Sequence, residues 1–238
     1  MQPLHDHIAK DGFRLRGTEM SRIDAFSDVV FGFALTLIVV SLDVPKTFSD
    51  LHNLLRGFFP FAVTFLMLML VWFTHYKFFR RYGTHDMGTI WLNGLLLFCV
   101  LFYVYPLKFM FAAFLGTSVV IDNASQVREL TLLYALGFTA IYTIFAGMYA
   151  NAWRQRDLLA LTLLERRLTG IYFWEELGDA LVGLVVIVLA LLLPPAKSTF
   201  ATMAFMLIAV HKTILGRKAA NATRLLSHAP IDPSHPDM

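Results

Sequence analysis

The sequence predicts an all-α, polytopic membrane protein with six transmembrane helices per subunit and both termini in the cytoplasm. Three observations predict this class. Of the 238 residues, 57% are hydrophobic and only 16% are charged, against about 25% charged residues in an ordinary soluble domain. Long apolar segments recur along the chain, and the basic residues fall mainly on one side of them.

Six segments have the roughly 20 mostly apolar residues that a spanning helix needs. They are residues 22–42, 57–76, 89–112, 131–151, 177–196 and 198–215. The third contains Pro106, which we expect to kink the helix or end its regular part. Only Ala196 and Lys197 separate Pro195 from the sixth segment. This short connection predicts a tight helical hairpin.

The distribution of basic residues predicts the orientation. If the connections alternate between the two sides of the membrane, fifteen of the 20 Lys and Arg residues lie on the side of both termini. The positive-inside rule places that side in the cytoplasm. We therefore predict a cytoplasmic N-terminal segment (residues 1–21), a transmembrane domain (residues 22–215) and a flexible cytoplasmic tail (residues 216–238). Residues 1–21 lack an apolar core, so we expect the first span to be retained rather than cleaved.

The basic clusters are short and flank the spans, so we expect them to bind lipid headgroups and not nucleic acid. The single cysteine, Cys99, excludes a disulfide within one chain. The sequence shows no nucleophile–base pair and no phosphate-binding loop. We therefore expect no enzyme activity, no metal site and no cofactor.

Acidic residues in the second half of the chain suggest hydrated surfaces. Glu165 precedes two arginines, a pattern typical of a solvated cytoplasmic face. Glu175, Glu176 and Asp179 open the predicted fifth span, where carboxylates are favourable near a helix N-terminus. We expect His211, near the end of the sixth span, to be an interfacial residue in contact with water.

The first span carries a carboxylate inside the membrane. Asp28 lies six residues after Arg22, about 9 Å along the helix. A carboxylate at that depth is costly unless it faces protein or water, so it marks a functional region by default. Ser27, beside it, can join a hydrogen bond between helices.

Two other spans carry polar groups at a similar depth. Trp72 and His75 share a helical face near the end of the second span, and Asn93 lies near the start of the third. We predict that these groups meet in one buried polar network. Its predicted members are Arg22, Ser27, Asp28, Trp72, His75 and Asn93. The alternatives are separate solvation at the headgroup boundary, or a proton pathway through Asp28 and His75.

These residues carry a resemblance to a known family. The segment Arg22-x-x-x-Phe26-Ser27-Asp28, with Trp72-x-x-His75 and Asn93 later in the chain, is similar to the signature of bacterial relatives of the endolysosomal potassium channel, transmembrane protein 175. The resemblance extends over residues 22 to about 110. It implies a homotetramer in the bacterial cell membrane, in which the first helices of four subunits line a central pore.

The resemblance also assigns roles to residues of the first span. The pore constriction falls at Phe33, Thr36 and Val40, which lie at helical spacing and form one stripe. The motif residues, including Phe26, face neighbouring helices and hold the pore helix in place. Position 33 departs from the family pattern, because relatives usually carry Ile or Leu where this chain has Phe. Without the resemblance, ordinary helix packing is the favoured explanation of the stripe.

The expected activity is passive conduction of monovalent cations, with potassium modestly favoured over sodium. An apolar ring narrower than a hydrated ion makes the ion shed water without replacement ligands. Potassium is the permeant ion and no other ligand is expected. Two alternatives remain: a proton-coupled transporter using Asp28 and His75, and a membrane scaffold without transport.

Overall fold

The computed structural model describes residues 8–40, 44–114 and 123–227, and these fold into helices. The all-α prediction is confirmed. The helices are α1 (Arg22–Val40), α2 (Phe48–Arg56), α3 (Phe58–Tyr82), α4 (Met87–Phe114), α5 (Ala124–Arg154), α6 (Leu163–Leu192) and α7 (Met206–Ser227), with a 3-10 segment (Pro195–Phe205) between the last two.

Five of these elements are long and apolar enough to cross a membrane: α1, α3, α4, α5, and the 3-10 segment continued by α7. The predicted fifth span, residues 177–196, falls in α6, which is not among them. The reason is composition, since even the last 18 residues of α6 (175–192) include Glu175, Glu176 and Asp179. On apolar character alone, the described residues therefore contain five candidate spans, and the six predicted are not confirmed.

Two local expectations differ from the structure. Pro106 lies inside α4, which continues to Phe114, so the alternative that the helix ends there is wrong and the kink stays a prediction. Residues 216–227, assigned to a flexible tail, continue α7 as far as Ser227. Alanine-rich sequence without proline favours helix in that stretch, and Ala222 is buried. Residues 228–238 of the predicted tail lie outside the described residues.

The helices form a layered bundle in which each packs on its neighbours in the chain. Helix α1 packs against α3 and α4, α4 against α5, α5 against α6, and α6 against α7 and the 3-10 segment. Helix α2 contacts α3 and is otherwise exposed. Helix α1 and the α6–α7 pair therefore lie on opposite sides of the bundle.

The N-terminal segment closes one end of the bundle. Phe13 is fully buried and packs edge-on against Tyr82 of α3, with ring centroids 5.3 Å apart. The amide of Gly17 donates to the carbonyl of Arg80 over 3.1 Å. Helix α3 stops here because Gly83 takes a left-handed φ of 56° and its amide donates back to Phe79.

The opposite end of the bundle is joined by Arg128, near the start of α5. Its guanidinium donates to the carbonyl of Leu193, just after α6, over 2.7 Å. Helix α6 begins beside the N-terminal segment, where Glu165 meets Arg14. Helices α5 and α6 are therefore antiparallel over their full length, and α6 runs from one end of the bundle to the other.

Candidate functional site

Helix α1 begins with a reciprocal cap. The Ser21 hydroxyl accepts from the amide of Asp24 over 3.1 Å, and the Asp24 carboxylate accepts from the amide of Ser21 over 3.1 Å. This pair satisfies backbone donors that a helix start leaves free. It fixes the point at which the chain leaves the N-terminal segment and enters the helix.

A chain of hydrogen bonds joins α1 to α3 and α4. His75 of α3 lies 2.9 Å from Asn93 Oδ1 of α4, and the Asn93 amide donates to Ser27 of α1 over 2.9 Å. Ser27 in turn donates to the carbonyl of Ile23 over 2.8 Å. All three side chains are buried. With Asn93 oriented in this way, His75 donates through Nε2, and both ends of the Asn93 amide have a partner.

Asp28 has a different partner. Trp72 of α3 donates its indole N–H to Asp28 Oδ1 over 2.8 Å. Asp28 is exposed on the surface of the single chain, beside the buried polar chain but not bonded to it. The structure thus brings five of the predicted network residues together as two groups: Ser27, His75 and Asn93, and Asp28 with Trp72.

Arg22 and Phe26 are not joined to either group. Both are exposed, and Arg22 forms no hydrogen bond or ion pair within the described residues. Their predicted role in holding the pore helix stays a prediction, because both side chains are exposed in the single chain.

Helix α1 has two opposite faces. Its buried face consists of Ser27, Phe31, Ala34 and Ile38. Its exposed side includes a stripe whose members are spaced alternately by three and four residues: Phe26, Val29, Phe33, Thr36 and Val40. We call this set the α1 stripe. Phe33 is 60% exposed and Val40 is 77% exposed, so all three predicted constriction residues lie on this open side.

Glu165 was wrongly expected to be solvated. It is fully buried, and its carboxylate accepts from Arg14 Nε over 3.1 Å and from Arg16 Nη2 over 2.7 Å. Burial alone would raise the pKa of Glu165, but hydrogen bonds from the two arginines outweigh it and lower the pKa to about 2. The sequence held one usable signal, because Thr162 and Glu165 have the spacing of a capping box, which the structure contains.

The acidic residues of α6 are likewise not hydrated at a helix start. Asp179 is fully buried, and Lys212 Nζ of α7 lies 2.9 Å from its Oδ2 and 3.0 Å from Glu175 Oε1. His211 Nε2 lies 3.1 Å from Asp179 Oδ1. These charges face a partner helix because α6 begins at Leu163, well before them.

The fold and this site define a class: a polytopic helical membrane protein whose first helix is held by polar groups and exposes an apolar stripe. A family model described as the endosomal/lysosomal potassium channel TMEM175 matches residues 22–103. The chain belongs to the TMEM175 family. The predicted resemblance is confirmed.

Curated relatives are named potassium channels. The chain is 40% identical over 167 residues to a protein of Marivirga tractuosa named a potassium channel, a match covering 64% of this chain and 67% of the relative. It is 30% identical over 151 residues to a potassium channel of Chamaesiphon minutus, covering 60% and 70%.

Two solved structures resemble the fold. One is the crystal structure of a variant of the potassium channel MtTMEM175 in complex with a nanobody fusion protein, with a TM-score of 0.78 and 31% identity over 90% of this chain and 99% of that one. The other is a lysosomal potassium-selective channel TMEM175 homolog from Chamaesiphon minutus, with a TM-score of 0.55 and 25% identity over 82% and 96%.

Proposed function

We propose that four copies of this chain form a passive, potassium-selective cation channel whose pore is lined by α1 and narrowed at Phe33, Thr36 and Val40. The α1 stripe is the observation that carries the proposal. Spacing of alternately three and four residues is the pattern by which helices pack around a common axis. In a single chain this stripe has no partner, although the opposite face of the same helix is buried.

Asp28, exposed on α1 beside the stripe but not part of it, supports a protein or water partner for this flank of the helix. A carboxylate exposed to hydrocarbon is costly. Asp28 is exposed in the single chain, and Trp72 satisfies only one of its oxygens among the described residues. A neighbouring subunit or a water-filled path beside α1 removes this cost, whereas a lipid-facing position does not.

The relatives support the choice of ion. The curated proteins matched by this chain are named potassium channels, and both solved structures are described as potassium channels. Selectivity in this proposal comes from dehydration. Phe33 and Val40 offer no oxygen to an ion, so ions that lose water more cheaply pass more easily.

Thr36 has a particular place in this mechanism. Its hydroxyl donates to the carbonyl of Phe33 over 2.7 Å. Because the proton points at the helix backbone, the oxygen lone pairs of Thr36 remain available toward the exposed side. Four such oxygens provide partial compensation for an ion that has lost water between two apolar rings.

Six membrane crossings complete the proposal, with both termini on the cytoplasmic side of a bacterial inner membrane. Helix α6 runs the length of the bundle between the Glu165 and Leu193 ends. Glu175 and Asp179 are paired with Lys212, and Asp179 also lies beside His211 of α7. Pairing of two of the three carboxylates inside the protein weakens the composition argument against a sixth crossing.

The proton-coupled alternative is less favoured by the contacts. His75 lies in the chain with Asn93, whereas Asp28 is bonded to Trp72. No hydrogen bond joins Asp28 to His75 in the part of the chain that the structure describes. A proton relay through these two residues therefore needs a rearrangement that the channel proposal does not.

Ion flux through purified protein in liposomes separates the candidate functions. The proposal expects currents whose reversal potential follows the potassium gradient, with a smaller response to sodium. A reversal potential that follows pH would show the proton transporter instead. If flux does not exceed that of protein-free liposomes, the remaining candidate is a membrane scaffold without transport.

A further inference from the structure

A groove lies between α6 and α7, on the side of the bundle away from α1. Its volume is about 940 Å³, within the range of small-molecule sites. Apolar side chains line most of it, among them Leu181 of α6 and Leu207 and Val210 of α7. Each of these three is at least 50% exposed. The groove is therefore open to whatever surrounds this side of the protein.

One end of the groove is basic. Arg167 of α6 and Lys218 of α7 both line it and are exposed. Neither forms an ion pair or a hydrogen bond within residues 8–40, 44–114 and 123–227. In contrast, Arg14, Arg16 and Lys212 form ion pairs with carboxylates of the same chain.

The dimensions suit one leaflet of a bilayer. Fourteen residues of α6 separate Arg167 from Leu181, and eleven of α7 separate Leu207 from Lys218, which correspond to about 21 Å and about 17 Å of helix. Half of the hydrocarbon core is about 15 Å thick. The apolar part thus lies at acyl-chain depth while the two cations lie at the end closed by the N-terminal segment.

We propose that this groove binds an anionic phospholipid, with its phosphate held by Arg167 and Lys218 and an acyl chain lying against Leu181, Leu207 and Val210. Charge complementarity identifies the occupant, since two unpaired cations beside an apolar groove fit a lipid with an anionic headgroup. Basic pockets between transmembrane helices on the cytoplasmic side bind such headgroups. The site is separate from the α1 stripe and does not depend on potassium conduction.

Gly170 of α6 is a position at which a larger side chain can be introduced into the groove. It lines the groove, and a Cβ added there meets no atom within 4 Å. A leucine at this position fills part of the groove without displacing the backbone. Because Gly170 lies one turn of α6 from Arg167, Gly170→Leu narrows the groove where the headgroup joins the acyl chains, whereas removal of the cations changes only the charge there.

The test is native mass spectrometry of the delipidated full chain in detergent, titrated with palmitoyl-oleoyl phosphatidylglycerol, with phosphatidylcholine of the same chains, and with inorganic phosphate. The proposal expects one tightly bound phosphatidylglycerol per subunit, weaker phosphatidylcholine and no phosphate binding. Arg167→Gln with Lys218→Gln should weaken phosphatidylglycerol at least about tenfold and weaken phosphatidylcholine, whose choline offsets its phosphate charge, much less. Gly170→Leu should weaken both lipids.

Arg217→Gln is the matched control, because Arg217 is exposed on the same helix but does not line the groove. The proposal fails if this control weakens phosphatidylglycerol as much as the double variant, or if the two lipids bind equally well. It also fails if inorganic phosphate binds as tightly as the lipid. Lipid binding that emerges only after deletion of residues 228–238 would show that the chain's own end fills the groove.

Discussion

Asn93 is the residue on which the polar chain between three helices depends. Its amide group faces His75 with one atom and Ser27 with the other, and all three are buried. Residues Ser27, His75 and Asn93 could be predicted to meet, because topology places them at one depth. Their pairing could not be predicted, since Asp28 was an equally good partner for His75 on sequence alone.

Asn93→Ala should lower the free energy of unfolding in detergent by about 2–4 kcal/mol, because it leaves His75 and Ser27 short of a buried partner. Thr74→Ala is a suitable control. The Thr74 hydroxyl donates to Leu70 in its own helix, so its loss should cost less than about 1 kcal/mol. Equal losses from the two variants would mean that the polar chain does not hold α1.

Glu165 gives a prediction with a defined pH dependence. Its pKa in the folded protein is about 2, against an ordinary 4.5. A lowered pKa means that the carboxylate adds stability above pH 4.5, and that this stability disappears as pH falls toward 2. We expect Glu165→Gln to cost about 2 kcal/mol at pH 7, less than the full shift implies because Arg14 is 50% exposed.

The measurement is thermal unfolding of Glu165→Gln and the parent chain from pH 7 to pH 3. Their difference should narrow with acidification. Glu129→Gln, at an exposed position, should stay within about 0.5 kcal/mol of the parent at pH 7. A difference that is constant with pH would show that Arg14 and Arg16 do not act on the Glu165 charge. Sequence could not reveal this contact, because the partners are 151 and 149 residues apart.

At the scale of elements, small residues set how closely helices approach. Gly183 of α6 faces α5, where an added Cβ would overlap the hydroxyl of Thr139. Gly170 of the same helix has open space around it. Gly183→Ala should therefore destabilise the chain by about 1–3 kcal/mol through overpacking.

Gly170→Ala is the matched control on α6. It should be neutral or stabilise the helix by about 0.5–1 kcal/mol, since alanine replaces a flexible residue without a clash. Chemical unfolding of both variants in detergent measures the difference. If Gly183→Ala were as stable as Gly170→Ala, the tight α5–α6 contact would not exist in the folded protein.

The type of the elements follows from sequence better than their number or their ends. Each of the six predicted apolar segments falls mainly in helical structure, but α2 was not predicted and residues 198–205 belong to the 3-10 segment. The start of α6 was missed because the charged residues before the apolar run suggested a solvated cytoplasmic face. Those charges are satisfied by α7 and the N-terminal segment, and such pairing depends on tertiary packing that periodicity does not encode.

At the scale of the whole molecule, α6 decides the topology. If α6 crosses the membrane, Lys197 in the hairpin lies on the side opposite Arg217. We expect Lys197→Cys, in a Cys99→Ala chain, to react with a membrane-impermeant maleimide in intact cells. Arg217→Cys, near the other end of α7, should react only after lysis. If α6 does not cross, the two sides are exchanged, so labelling of Arg217→Cys in intact cells and of Lys197→Cys only after lysis would contradict six crossings.

The side of α1 away from the bundle is open in the single chain. The buried face of α1 packs against α3 and α4, whereas the α1 stripe, including Phe33, is exposed. The proposed assembly of four copies around this stripe accounts for its exposed apolar residues. The pattern of spacing was visible in the sequence, but which of its faces is buried required the fold.

Potassium flux through Phe33→Ala channels in liposomes tests the central claim most directly. Four smaller side chains widen an apolar constriction, so flux should rise at least about tenfold, equivalent to about 1.4 kcal/mol off the barrier, and preference over sodium should fall. Val39→Ala, exposed on the same helix but outside the stripe, should change flux little. Unchanged flux and selectivity in Phe33→Ala, matching Val39→Ala, would contradict a pore lined by the α1 stripe.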